Sequence, residues 1–185
     1  MATRVRSSFL TVDEFLRINF GDLKAELDKG VIRMMAGGTA RHARVQFNIL
    51  RALGDKLRGT GCVPYGSDMG VRTREDSLRF PDASIFCGKE GGAFDNVTAF
   101  DDPRAVFEVL SAGTARTDLG EKLPEYKALP SLDTVVFVDI ETERVRVVQR
   151  TGPKGWSEQE HDEPVDIHLP ALAITLTHAE LFARD

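Results

Sequence analysis

Apolar and polar positions along the chain follow two periods, and their alternation predicts short strands interleaved with helices. Thr11-Val12-Asp13-Glu14 forms a capping box, with Val12, Phe15, Leu16 and Phe20 at helical spacing behind it, so a short first helix is expected after a frayed tail over residues 1–8. Residues 24–27 and 31–36 flank Asp28-Lys29-Gly30, whose aspartate and glycine suit a tight turn; a hairpin is expected, with Glu26 on its first strand. Behind Gly37-Gly38-Thr39, the stripe of Val45, Ile49, Leu53 and Leu57 predicts a longer helix to about Arg58, capped by Thr39.

Further on, residues 62–65 and 69–73 read as short strands before a charged turn at Glu75-Asp76-Ser77. Two apolar runs then read as buried strands: Ala83-Ser84-Ile85-Phe86-Cys87, entered through Arg79-Phe80-Pro81-Asp82, and Ala105-Val106-Phe107-Glu108-Val109-Leu110. The polar, glycine-rich residues 88–103 between them are too long for a hairpin turn and are expected to be a mobile loop or a flap over the site, anchored by Phe94 or Phe100. After a turn at Ser111-Ala112-Gly113-Thr114, Asp118 and Glu121 start a helix that Pro124 should delay or kink. Residues 134–140 and 144–150 form an expected hairpin around Glu141-Thr142-Glu143; Trp156 marks another strand, residues 165–169 another, and a helix from Thr177 to Ala183 closes the fold.

With 185 residues, 42% of them hydrophobic, the chain can bury one sizeable core, and a single domain over residues 1–185 is expected. The start carries no signal-like segment and the longest aliphatic runs are too short to span a bilayer, so a soluble, cytoplasmic protein without a membrane partner is expected. Cys62 and Cys87 stand in no CxxC pattern, and buried reduced thiols are the expectation. The net charge of -5 argues against a protein that coats nucleic acid non-specifically, yet it is unevenly spread. Residues 31–79 hold nine basic and four acidic side chains, whereas residues 80–185 hold ten and twenty. That asymmetry is compatible with a polyanionic substrate, and equally with solvated faces.

Glu108 is the residue that calls for chemistry. An anion amid Val, Phe and Leu costs several kcal/mol to desolvate, so it must be paired, protonated or bound to a cation. Asp82 and Glu108 on neighbouring strands could share one hard cation such as Mg²⁺ (or Mn²⁺), with Lys122 holding an attacking water or developing negative charge. The plainer alternative pairs Glu108 with a basic residue and leaves Asp82 to cap a turn. The free amides after Gly37-Gly38-Thr39, beside Arg41 and His42, make a candidate anion site; an ordinary cap with solvated arginines explains the same residues.

Glu26-Leu27 with Gly30, Arg41-His42, Arg79 with Pro81-Asp82, the run from Val106 to Ser111, and Asp118-Leu119-Gly120-Glu121-Lys122 with Tyr126, followed by Leu129-Pro130-Ser131-Leu132, resemble the bacterial Uma-type putative restriction endonuclease family of the PD-(D/E)XK nuclease superfamily. The likeness runs from Thr11 to the last helix. It implies an α/β fold with a restriction-endonuclease-like core, a mixed β-sheet flanked by helices. It further implies Asp82 and Glu108 as ligands of Mg²⁺ or Mn²⁺, Glu26, His42 and Lys122 as further catalytic groups, and Thr39, Arg41 and Tyr126 on the substrate side. One departure stands out: two residues after the acid, where the superfamily carries lysine, this chain has Leu110, and Lys122 on the following helix takes that role. The function implied is metal-dependent hydrolysis of DNA by a homodimer; the alternative is a non-catalytic DNA-binding or protein-interaction module on a degenerate nuclease core.

Overall fold

The computed structural model describes residues 9–89, 91–111 and 118–184. Helix α1 (Val12–Phe15) begins at the expected capping box, where the Thr11 hydroxyl accepts from the Glu14 amide and the Glu14 carboxylate accepts from the Thr11 amide. Strands β1 (Ala25–Asp28) and β2 (Val31–Met34) pair with Asp28 opposite Val31, so Lys29 and Gly30 alone turn the chain. Both have positive φ, 48° and 79°, and a Cβ on Gly30 would lie 2.3 Å from that of Phe9. Only glycine satisfies both demands there.

Helix α2 (Ala40–Lys56) starts at Thr39, whose hydroxyl accepts from the His42 amide at 3.2 Å. Val45, Ile49, Leu53 and the C-capping Leu57 are buried as the stripe predicts, in one core with Phe107, Val109, Val136 and Val138. Strands β3 (Cys62–Gly66), β4 (Gly70–Arg74), β5 (Ser77–Arg79) and β6 (Ala83–Cys87) follow. The turn at residues 75–77 is shorter than expected: Ser77 already opens β5, three residues that pair with both β1 and β4. The expectation for Cys62 and Cys87 is corrected. They face each other across β3 and β6 and are joined as a disulfide, because the register that pairs the two strands puts these positions opposite each other.

The glycine-rich stretch is more regular than expected. It contains a 3₁₀ turn (Gly92–Phe94) and strand β7 (Ala99–Phe100), which pairs in parallel with β4. Phe94 and Phe100 are its anchors as expected, with ring centroids 5.9 Å apart and Phe100 5.0 Å from Phe86. Aromatic burial outweighs the polar composition of the segment.

Strand β8 (Ala105–Leu110) is buried at all six positions and runs parallel to β9 (Thr134–Asp139). Both faces of this central pair are covered, which is why the two sequences read as unbroken apolar runs. Odd positions of β8 meet α2; Val106 and Leu110 face a second core with Phe86, Val135, Phe137 and helix α3 (Leu123–Ala128). Residues 111–114 lie, apart from Ser111, outside the described residues, as does the tail over 1–8. A π-helical turn (Asp118–Lys122) leads into α3 and places Pro124 within its first turn, where the ring displaces no helical hydrogen bond.

Strand β10 (Arg144–Arg150) returns beside β9 through a turn with Glu143 at φ 57°, and β11 (Trp156–His161) pairs next. Then β12 (Ile167–Leu169) pairs with β13 (Ile174–Leu176), a strand the periodicity does not mark, and α4 (His178–Phe182) closes the chain. The fold is therefore mixed α/β, as expected, but with more than one sheet: β2-β1-β5-β4-β7, β11-β10-β9-β8-β6-β3, and the β12-β13 pair. Arg79 ends a strand of the first and Ala83 begins one of the second. Phe80-Pro81-Asp82 is thus the corner where the two sheets meet.

Candidate active site

A cleft of about 510 Å³ opens at that corner, lined by Glu26, Asp82, Glu108, Lys122, His42 and Thr39 among others. Five of the expected catalytic residues thus come from five places in the chain: β1, the sheet corner, β8, the π turn and the first turn of α2. Asp82 directly precedes the position paired with Phe107, so it stands beside Glu108 where the β6–β8 ladder ends. Its Oδ2 accepts from the Val109 amide at 2.7 Å, taking the place of the next ladder bond, and lies 3.4 Å from His42 Nε2. Hydrogen bonding to Asp82 raises the His42 pKa above its ordinary value, although burial opposes it.

Glu108 is 3% exposed. Its Oε1 accepts from the Tyr126 hydroxyl at 2.6 Å and lies 3.3 Å from Lys122 Nζ. Burial pushes its carboxyl up to about 8; Lys122 opposes the rise, while Asp118, Asp82 and Glu26 add to it. Lys122 Nζ is shared three ways, 3.0 Å from Asp118 Oδ1, 3.2 Å from Glu26 Oε1 and 3.3 Å from Glu108 Oε1. Burial alone would lower the lysine pKa, but these carboxylates hold it above the ordinary range. The ammonium therefore stays charged and holds the three carboxyl groups together.

Glu26 contributes on two sides. Its Oε1 accepts from the Phe80 amide at 3.0 Å and meets Lys122, while its Oε2 lies 3.5 Å from Arg79 Nη1. Three further residues are given no role by the sequence reading: Asp118, which holds Lys122 rather than capping a helix, and Arg79 at the cleft wall, paired with Glu125 behind it. The signal for them in the sequence is weak, since π-helical spacing and a buried ion pair leave no period.

The substrate-side residues are placed unevenly. Thr39 lines the cleft, with its hydroxyl engaged in the helix cap. Tyr126 is fully buried behind Glu108, and its hydroxyl fixes that carboxylate. Arg41 is not brought to the cleft: its guanidinium pairs with Glu141 at 3.2 Å and Glu143 at 3.5 Å, across the β9–β10 turn. Nor, among the described residues, does any of 88–89 or 91–103 line it, so the described part of that stretch is no flap.

Carboxylates dominate the lining of the cleft. Among the described residues, Glu26, Asp28, Asp82, Glu108, Asp118 and Glu121 line the cleft against the cations Arg33, Arg79 and Lys122, leaving an excess of negative charge and oxygen donors. Among the same residues no group of three or more His, Cys, Asp or Glu side chains is gathered around one point for an ion.

Similar proteins agree with this picture at the level of the fold. A putative nuclease belonging to DUF820 from Anabaena variabilis ATCC 29413 superposes with a TM-score of 0.76 at 20% identity, over 94% of this chain and 98% of that one. The uncharacterized protein sll1609 of Synechocystis sp. is 28% identical over 152 residues, covering 81% of this chain and 86% of the relative. The Uma2 family model, described as putative restriction endonuclease, matches residues 12–179, and so contains every element from α1 to the start of α4 together with the whole cleft. By that match the chain belongs to the Uma2 family of putative restriction endonucleases.

Proposed function

We propose that the chain is a metal-dependent nuclease that hydrolyses phosphodiester bonds of DNA in the cleft at the sheet corner. The observation that carries this reading is the convergence of Asp82, Glu108, Lys122, Glu26 and His42 on one cleft in a nuclease-like fold. Asp82 and Glu108 would hold Mg²⁺ or Mn²⁺. Such an ion lowers the pKa of a bound water and offsets charge on a phosphate oxygen.

The side chains of the chain do the rest. The Val109 amide and His42 orient Asp82, and the Tyr126 hydroxyl orients Glu108, so both carboxylates are fixed before substrate arrives. Lys122, charged and held by Glu26 and Asp118, presents an ammonium where negative charge develops on a phosphate. His42 faces the cleft from the α2 side beside Asp82, where its imidazole can serve a phosphate oxygen or leaving group. In this reading the enzyme is a cytoplasmic homodimer, each subunit addressing one strand.

Calorimetric titration with Mn²⁺ tests the cation half of the reading. Wild type should take up the ion, with the heat lost in Asp82→Ala and Glu108→Ala that retain their far-ultraviolet circular dichroism. Equal binding by both variants would move the ion elsewhere.

A further inference from the structure

Arg79 is 1% exposed, and its guanidinium spreads over three carboxylates. Nε and Nη2 donate to Glu125 Oε2 and Oε1, each at 2.9 Å; Nη2 also donates to Asp28 Oδ1 at 2.8 Å, and Nη1 lies 3.5 Å from Glu26 Oε2. Thr73 on β4 donates its hydroxyl to Glu125 Oε2 at 2.9 Å. The network therefore ties α3 to three strands of the five-stranded sheet. Its two principal members stand close in sequence to the two halves of the cleft. Arg79 lies three residues before Asp82, and Glu125 lies between Lys122 and Tyr126.

Burying four charged groups costs heavily in desolvation, so such a network gives little net stability for its size. What it supplies is orientation. A two-bond arginine–carboxylate pair fixes both partners in one plane, which a lysine cannot do through a single ammonium. Helix α3 has six residues, too few to hold a helix in water by itself, so its place depends on what grips it. Leu123 and Tyr126 grip it through the core, and Glu125 through Arg79.

We propose that the Arg79–Glu125 pair is a strut that sets where Lys122 and Tyr126 stand against Glu108, making Arg79 and Glu125 positioning residues for phosphodiester cleavage. This rests on the nuclease reading above. Neither residue needs to touch the scissile phosphate; Arg79 acts through Asp82 along its own segment and through its contact with Glu26, and Glu125 through Lys122 and Tyr126 on its own segment.

The test uses variants mild enough to fold: Arg79→Lys, which keeps the charge, Glu125→Gln, which keeps the shape, and Thr73→Val, which keeps every charge. Steady-state DNA cleavage should show kcat reduced about 10- to 100-fold in Arg79→Lys with KM unchanged, since displacements near 1 Å are costly at this scale. Thr73→Val should fall in the same direction by a smaller factor. Amide hydrogen exchange should accelerate over residues 118–128 while α2, β8 and β9 keep wild-type protection. A kcat within twofold of wild type in all three variants overturns the proposal, as does exchange accelerated evenly through α2 and the central strands, the signature of a residue that merely supports the fold. If wild type cleaves no nucleic acid, the nuclease reading fails and the exchange arm decides the strut by itself: acceleration confined to residues 118–128 sustains it, and even or absent acceleration overturns it.

Discussion

Glu108 shows how a single side chain sets a cost that the surrounding residues meet. It lies in the middle of a strand buried at every position, and its pKa near 8 records the desolvation that Lys122 only partly offsets. The folded protein keeps a proton on Glu108 that the unfolded chain has released above its ordinary pKa of 4.5. Its contribution to stability is therefore full below about 4.5 and is lost as pH rises toward 8, at up to about 1.4 kcal/mol per pH unit. Comparing urea denaturation of wild type and Glu108→Gln between pH 5 and 8 should show that the variant lacks this decline. Parallel pH dependences would mean that Glu108 is solvated or fully paired. The need for a partner at Glu108 is legible from its apolar neighbours alone. Which partners answer it is not, because Lys122 on the π-helical turn and Tyr126 on α3 reach it through tertiary packing.

At the scale of elements, hairpins and capped helices are the most readable features, since each rests on local chemistry: the Thr11 box, the Lys29-Gly30 turn, the Thr39 cap. Thr39→Ala should cost about 1 kcal/mol in equilibrium denaturation by leaving the His42 amide without its acceptor. A cost near zero would mean that water replaces the cap. Strands β5 and β13, three residues each, are too short to show a period; β13 is fixed by its neighbour β12, and β5 by both the adjacent β4 and the distant β1. The same limit governs the disulfide between Cys62 and Cys87, twenty-five residues apart, which depends on strand register. Arg41 shows a local reading overridden by a tertiary partner. The free amides after Gly37-Gly38 suggest an anion beside it, yet Glu141 and Glu143 hold its guanidinium. Arg41→Ala should accordingly leave the salt dependence of DNA binding unchanged, where a cleft arginine would flatten the slope by roughly one phosphate's worth of counterion release. A flattened slope would return Arg41 to the binding surface.

For the whole molecule, the arrangement of two sheets around one corner matters more than any single motif, because it brings residues from 26 to 122 to a common cleft. The family and the order of its motifs are readable from the chain; that the sheets are separate, with Asp82 at their junction, follows only from pairing. Among the described residues no helix is long and apolar enough to cross a membrane. Phe9, Leu23, Met34 and Phe47 are large apolar side chains more than half exposed, and a homodimer is the assembly proposed for such a nuclease. Sedimentation equilibrium across micromolar concentrations should then give twice the monomer mass, and a monomer throughout would remove the two-strand model while leaving the cleft intact. The most direct measurement of the central claim is cleavage of plasmid DNA by purified wild type and Asp82→Ala, each with Mg²⁺ and with EDTA. The account predicts nicking by wild type with Mg²⁺ alone and none by the variant; equal cleavage by both proteins, or cleavage that persists in EDTA, would contradict it.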